Sequence, residues 1–135
     1  MQAGVVVGGE AEGRVVVLDE PLSFWGGFSA ESGVVTDEHH PQAGVILSGA
    51  IVLMVGGRGS SSASSVIAEA VRLQTAPAAL VMQRSDEILA TGSLVAQELY
   101  GRTVPIVLVD ANSYAEIARA SHAWLTSGGE INLRD

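Results

Sequence analysis

Two periodicities of apolar residues divide this chain near its middle. Before residue 56, short runs rich in valine and isoleucine predict strands at Gly4–Val7, Arg14–Leu18, Gly44–Leu47 and Ala50–Val55. The glycine- and glutamate-rich residues between the first two runs predict a loop. The segment Asp19–Pro41 has little periodicity, and a segment of that length inside a compact domain is either functional or misassigned.

After residue 56 the apolar residues recur at helical spacing. This spacing predicts a helix from about Ser61 to Gln74, and a second helix that Asp86 or Ser85 can cap and that ends at Gly101. The apolar stripe of the second helix is predicted to comprise Ile88, Gly92, Val95 and Leu99. The remaining predicted elements are strands at Ala78–Met82 and Pro105–Val109, a helix at Ser113–Ala120, and a hairpin at Trp124–Arg134 that turns at Gly128-Gly129.

The order of these elements predicts the fold class. Strands that alternate with helices in the second half favour a parallel sheet with right-handed crossovers. The strand-rich first half and the terminal hairpin favour an additional β layer. We therefore predict one α/β domain over residues 1–135, built of β, β and α layers.

Composition supports a folded domain and gives a default location. Hydrophobic residues make up 47% of the 135 residues and charged residues 16%, so the chain can bury a core. No apolar run approaches the length of a membrane span, and Met1–Gly9 lacks the basic start of a signal peptide. The expectation is a cytoplasmic protein that does not bind membranes.

Charge and missing residue types exclude several kinds of chemistry. The net charge is −8 and all seven basic residues are arginine, which leaves no basic patch for nucleic acid. Without lysine, the chain has neither a Schiff-base nucleophile nor a Walker-type phosphate loop. Without cysteine, it has no disulfide, no thiolate nucleophile and no thiolate ligand for an iron–sulfur cluster.

The segment Val55–Ala70, VGGRGSSSASSVIAEA, carries the strongest candidate chemistry. It joins a predicted strand to a predicted helix, so its serines fall where the helix has free backbone N–H groups and its positive end. Arg58 adds a donor fork suited to carboxylate or phosphate. These residues predict an anion-binding loop at the carboxyl end of a strand.

This segment does not match the specific sequence motifs for dinucleotide binding or for a nucleophile elbow, and helix capping remains an alternative interpretation. The dinucleotide pattern is met only in part, and no acidic residue ends the next strand, where Gln83-Arg84 stand. The nucleophile-elbow pattern is absent. The alternative is that the serines only cap a helix, because serine is a favoured N-cap residue.

Two further groups of residues are candidates within the irregular segment. Adjacent histidines on extended backbone point to opposite sides, so His39 and His40 cannot easily bind one metal ion. With Asp37 and Glu38 close by, a metal site is one alternative, beside a solvated turn and a role in ordering a substrate loop. The run Phe24–Gly27, which is Phe24, Trp25, Gly26 and Gly27, is either buried packing or a surface that docks on another protein.

Four segments together resemble the small, swivelling subunit of aconitase X-type dehydratases. They are PLSFWGGFSAESGVVTDEHHPQAG, VGGRGSSSASS, TAPAALVM and the helix at Asp86–Tyr100, and the resemblance covers about Gly8 to Asp110. It implies a single swivelling β/β/α domain like the mobile domain of aconitases. It also implies a large partner subunit that holds an iron–sulfur cluster and most of the substrate pocket, and no cofactor or metal in this chain.

The resemblance also implies roles for the residues of the serine loop. In the aconitase superfamily a serine in the swivel domain's Gly-x-Gly-Ser-Ser loop acts as the base, and this pattern matches Gly57–Ser61 with Ser60 as the base. The residues implied to bind substrate are Arg58, Gly59, Ser61 and Ser62. Where aconitases have Ser-Ser-Arg this chain has three serines, so their substrate-clamping arginine is missing, which argues against a citrate-like substrate.

The function implied is half of a heteromeric hydro-lyase, with the partner's cluster as Lewis acid on the leaving hydroxyl. The use of arginine in place of lysine and the high alanine content suggest a GC-rich genome, which favours bacterial hydroxyproline catabolism over archaeal mevalonate metabolism. The substrate expected on this ground is cis-3-hydroxy-L-proline, giving 1-pyrroline-2-carboxylate. The alternative substrate is 5-phosphomevalonate. An alternative of another class is a non-catalytic ligand-binding or carrier module on the same fold, although a phosphohistidine carrier needs a histidine where this loop has serines.

Overall fold

Nine strands and four helices make up the chain in the computed structural model, which describes residues 1–135. In chain order they are β1 (Gly4–Val7), β2 (Ala11–Val17), α1 (Phe24–Gly27), β3 (Phe28–Ser29), β4 (Val34–Val35), β5 (Ile51–Leu53), α2 (Ala63–Leu73), β6 (Ala79–Met82), α3 (Glu87–Tyr100), β7 (Ile106–Leu108), α4 (Ala111–Ala118), β8 (His122–Leu125) and β9 (Ile131–Arg134). None of the helices has the length and apolar composition that crossing a bilayer requires.

One curled sheet contains seven of the strands, in the order β1-β7-β6-β5-β2-β8-β9. Strands β2, β5, β6 and β7 are parallel, whereas β1, β8 and β9 join antiparallel. Strand β2 belongs to both parts, because Ala11–Arg14 pair with β8 and Val15–Val17 pair with β5. The predicted α/β class is confirmed.

Two apolar clusters lie on the two faces of the parallel strands. The first joins Val52, Leu80 and Ile106 to the buried residues of α2 and α3, and it also takes in Leu18 and Leu47. The second joins the opposite faces of β5, β6 and β7 to α4 and to Ala123, Leu125 and Ile131 of the antiparallel part. The alternation of side chains along each strand therefore places α2 and α3 on one side of the parallel strands, and α4 with the curled antiparallel strands on the other.

The first half of the chain differs from the prediction at two places. Strand β2 begins at Ala11 rather than Arg14, because β8, more than 100 residues away in the chain, supplies the ladder partner for the earlier residues. The predicted strand Gly44–Leu47 does not form apart from a single bridge. Its backbone instead wraps around the β3–β4 hairpin, where the Gly44 N–H donates to the Val35 carbonyl and the Leu47 N–H to the Gly33 carbonyl.

The apolar stripe predicted for α3 differs from the buried face of this helix by about one residue. Val95 and Leu99 are 41% and 64% exposed, whereas the buried residues of this helix are Leu89, Gly92, Ser93 and Ala96. The cause is the close approach of α2. A β-carbon built on Gly92 would lie 2.6 Å from the Ser64 carbonyl oxygen, so small residues face α2 and larger ones turn outward. The caps of α3 are as predicted, with Asp86 at the start and Gly101 at the end.

Tyr114 of α4 has a buried hydroxyl without a hydrogen-bond partner. Since such a group has lost water without compensation, we expect Tyr114→Phe to leave the free energy of unfolding unchanged or to raise it by up to about 1 kcal/mol. Thermal unfolding at pH 7 measures this, and a clearly lower melting temperature would contradict it. Burial and the charge of Asp19 raise the pKa of the Tyr114 phenol. The wild type should therefore lose stability as pH rises above about 10, and the variant should lose less.

Candidate functional site

The serine loop occupies the carboxyl end of β5, where the parallel strands end. Met54 is still buried in the core, and the loop then runs from Val55 to Ser62 before α2 begins at Ala63. The predicted strand–loop–helix arrangement is therefore confirmed, with the helix starting two residues later than expected. This edge of the sheet is where open α/β folds bind ligands.

Close contacts hold the glycines of the loop between two other segments. A β-carbon built on Gly57 would collide with the Asp86 carboxylate at the start of α3. One built on Gly59 would collide with the Ser23 hydroxyl, and Gly59 has a φ of +112°, which other residues rarely adopt. Only glycine fits this path, which brings the loop against Ser23 and α3.

The backbone N–H groups of the loop are available to a ligand. Those of residues 56–61 donate to no acceptor in the chain, whereas the first N–H groups of α2 donate to the carbonyls of Ser60, Ser61 and Ser62. Successive free N–H groups next to the positive end of an 11-residue helix favour binding of an anion.

The three serines differ in what their hydroxyl groups contact. Ser60 Oγ accepts a hydrogen bond from the Ser62 N–H at 3.1 Å. Ser62 stands at the N-cap position, but its side chain accepts no hydrogen bond from the helix. The hydroxyls of Ser64 and Ser65 donate back to the carbonyls of Ser61 and Ser62. Ser60 is therefore the only one of the loop serines with an oxygen fixed by a backbone donor, and helix capping does not explain Ser61 or Ser62.

Arg58 is paired with a residue of the irregular segment. Its Nη2 lies 3.7 Å from Asp37 Oδ2, with 58% of the arginine side chain exposed. The other Asp37 oxygen accepts the His39 N–H, and the Asp37 N–H donates to the Gly27 carbonyl. This chain of contacts brings Arg58 next to the Phe24–Gly27 turn, which is far from it in sequence.

The Phe24–Gly27 turn has one buried and one exposed aromatic residue. Phe24 is 1% exposed and packs on Phe28, with ring centroids 5.1 Å apart. Trp25 is 56% exposed. Trp25 has a non-helical ψ of 112° and Gly26 a φ of +83°, so the chain turns directly after the two aromatic residues. The surface near the loop therefore presents Trp25, while Phe24 belongs to the core.

The two histidines lie in a turn rather than on the extended backbone that the sequence predicted, and they differ in burial. His40 is 5% exposed, with Nε2 2.9 Å from the Glu20 carbonyl, and its Nδ1 accepts the Gln42 N–H. Through these two contacts His40 ties two parts of the segment together. His39 is exposed. No group of three His, Asp or Glu side chains is arranged to hold a metal ion.

Three residues near the loop were not among the candidates from sequence. They are Ser23, Arg84 and Asp86, whereas Asp37 was considered only as a metal ligand beside the histidines and instead pairs with Arg58. Asp86 was expected only as a helix cap and Arg84 only as a residue that ends a strand. Their positions depend on contacts between distant segments, for which the sequence contains no local signal.

Comparison with known proteins agrees with this geometry. The chain matches the profile of the aconitase X swivel domain over residues 1–133. The crystal structure of Thermococcus kodakaraensis aconitase X in its holo form superposes with a TM-score of 0.84 and 30% identity, covering 99% of this chain and 97% of that one.

Two groups of relatives differ in length. A cis-3-hydroxy-L-proline dehydratase of Pseudomonas aeruginosa is 42% identical over 91% of this chain and 21% of its own length. A phosphomevalonate dehydratase small subunit of Methanothermobacter thermautotrophicus is 40% identical over 68% of this chain and 70% of its own length. The chain thus spans about a fifth of the hydroxyproline dehydratases that it matches. The resemblance indicated by the motifs is confirmed: the chain belongs to the aconitase X swivel-domain family.

Proposed function

We propose that this chain is the small subunit of an aconitase X-type hydro-lyase and that Ser60 is its catalytic base. The observation that carries the proposal is the hydrogen bond from the Ser62 N–H to Ser60 Oγ at the start of α2. The names of the relatives, which are dehydratases in both groups, support the reaction class.

Dehydration of a hydroxy acid requires a base that takes a proton from carbon while a hydroxyl group leaves. A serine hydroxyl is a weak base, and only its alkoxide form is strong enough for this step. An N–H donor on Oγ and the positive end of a helix both stabilise the alkoxide, so they lower the pKa of the hydroxyl. Ser60 has both, and its oxygen would receive the proton from the substrate carbon.

The remaining parts of the active site are assigned to a partner. Arg58, Gly59 and Ser61 are exposed and Ser60 is partly exposed, whereas catalysis of this kind needs a site that excludes water. The chain also has no cysteine and no metal-binding cluster, so its residues do not fit an iron–sulfur cluster. In the proposal a large subunit holds the cluster and covers the loop.

The surface proposed to face the large subunit surrounds the serine loop. Trp25 is an exposed aromatic side chain next to it, and such residues favour the centres of interfaces. Arg58, Asp37 and the exposed His39 continue the same surface. Gly26 and Gly27 shape the turn that presents Trp25.

The substrate proposed is cis-3-hydroxy-L-proline. Loss of the proton from carbon 2 and of hydroxyl from carbon 3 gives an enamine, which tautomerises to 1-pyrroline-2-carboxylate. The match to the hydroxyproline dehydratase extends over 91% of this chain and favours this substrate. Phosphomevalonate is the second candidate, because the relatives of comparable length are small subunits of phosphomevalonate dehydratases.

The direct test compares this chain alone with this chain co-expressed with its large subunit. We expect the isolated chain to turn over neither substrate and the purified pair to dehydrate one of them. The same pair with Trp25→Ala should associate more weakly in gel filtration, because it loses a large apolar contact. Turnover by the isolated chain, or a pair that assembles but acts on neither substrate, would overturn the proposal; the second result would favour a ligand-binding or carrier module.

A further inference from the structure

The arginine next to the open end of the serine loop is Arg84, at the end of β6. The N–H groups of Gln83 and Arg84 both donate to the Val55 carbonyl, at 3.0 and 2.9 Å. These two bonds attach the turn after β6 to the residue that begins the serine loop. The backbone of Arg84 is therefore held beside the loop although 24 residues separate it from Ser60.

The guanidinium group of Arg84 lies against the backbone of Gly56. A β-carbon built on Gly56 would be 2.7 Å from Nη2 and 2.9 Å from Nε of Arg84. Any residue larger than glycine at this position would therefore have to displace the guanidinium group. Arg84 itself is exposed to solvent on its other side.

Arg84 has no charged partner in the chain, unlike Arg58. No carboxylate oxygen lies within 4.0 Å of it, whereas Arg58 is already paired with Asp37. The nearest acidic residue in sequence, Asp86, uses Oδ1 to accept the N–H groups at the start of α3. An unpaired guanidinium beside free backbone N–H groups can bind an oxyanion in a bidentate manner.

We propose that Arg84, rather than Arg58, binds the carboxylate of the substrate. This inference rests on the proposed function, because it names the anion-binding residue of that site. Both candidate substrates have a carboxylate, so one arginine can serve either. Gly56, on which the guanidinium group lies, precedes Ser60 by four residues, so the two residues are within about 14 Å of each other even for fully extended chain. Arg84 would thus hold the carboxylate while Ser60 faces the adjacent carbon.

The experiment uses the assembled pair and steady-state kinetics with the substrate that the wild-type pair dehydrates. Arg84→Gln should raise KM about 10- to 100-fold and change kcat less than threefold, because a charge-assisted contact to a non-reacting group is lost. Arg84→Lys should recover part of the loss, since it keeps the charge but not the fork. The matched control is Arg102→Gln, which removes an exposed arginine beyond the end of α3 and should leave KM unchanged.

Competitive inhibitors identify the group that Arg84 binds. L-Proline should inhibit the Arg84→Gln pair more weakly than the wild type, whereas pyrrolidine, which lacks the carboxylate, should inhibit both equally. An active Arg84→Gln pair with unchanged KM would overturn the role of Arg84 and leave the proposed function standing. A raised KM with L-proline inhibition equal in both pairs would assign Arg84 to a group other than the carboxylate and overturn the proposal. A wild-type pair without turnover overturns the proposed function itself, and the substrate role of Arg84 with it.

Discussion

Under the proposed function, replacing Ser60 with alanine is expected to lower the turnover of the assembled pair by about two to four orders of magnitude. The variant should fold and bind the proposed large subunit normally, because the Ser60 hydroxyl accepts only one hydrogen bond, from the Ser62 N–H. Loss of that bond should cost about 0.5–1.5 kcal/mol of stability. Single-turnover rates measure the chemical step, the melting temperature measures stability, and gel filtration measures assembly of the pair.

The neighbouring serine supplies the matched control for this variant. Ser61 is exposed, and its hydroxyl makes no hydrogen bond within the chain, so Ser61→Ala should mainly raise KM through loss of a contact to the substrate. Near-normal turnover by the Ser60→Ala pair, together with reduced thermal stability, would show that Ser60 only stabilises the start of α2. The catalytic assignment would then have to be abandoned.

Replacing Gly92 with alanine is expected to destabilise the chain by about 1–3 kcal/mol. At an exposed position in a helix the same change stabilises by about 0.5–1 kcal/mol, so the expected sign is reversed. The reason is that the new β-carbon would lie 2.6 Å from the Ser64 carbonyl oxygen and 3.0 Å from Ser64 Cα. Both contacts are backbone atoms of α2, which cannot move away without shifting the helix.

Chemical denaturation of the isolated chain measures this effect, with Gln97→Ala as the control on the same helix. Gln97 is exposed, so its replacement should change the free energy of unfolding by less than about 0.5 kcal/mol. Because Ser64 lies in the first turn of α2, Gly92→Ala should also disturb the serine loop and lower the activity of the pair. A Gly92→Ala chain that is more stable than the wild type would contradict the close packing of α2 against Gly92.

The two ends of α3 and the position of the serine loop could be predicted from residues close together in the sequence. Asp86 caps α3 by accepting the N–H groups of Ile88 and Leu89, and Gly101 ends it with a φ of +68°. Both features depend on a few adjacent residues, which is why they could be recognised in the sequence. The position of the serines between a strand and a helix was predictable for the same reason.

Packing between distant segments could not be predicted in this way. Periodicity indicates that α3 has a buried face, but a shift of one residue rotates that face by about 100°. The small residues that face α2 also give a weaker apolar signal than the exposed Val95 and Leu99. The strand predicted at Gly44–Leu47 has suitable residues, but it forms only one bridge, to Val34, and otherwise donates to the carbonyls of the hairpin.

The sequence by itself determined the α/β class, the order of most elements, the serine loop and the family, because these depend on local periodicity and on a specific run of residues. Only the tertiary structure decided which arginine is paired and which is free. Arg58 meets Asp37, while Arg84 lies on Gly56. Both arginines are equivalent as residue types, and what distinguishes them is the carboxylate that the folded chain places beside one and not the other. Charge pairing acts over a few ångströms in space, whatever the separation along the chain.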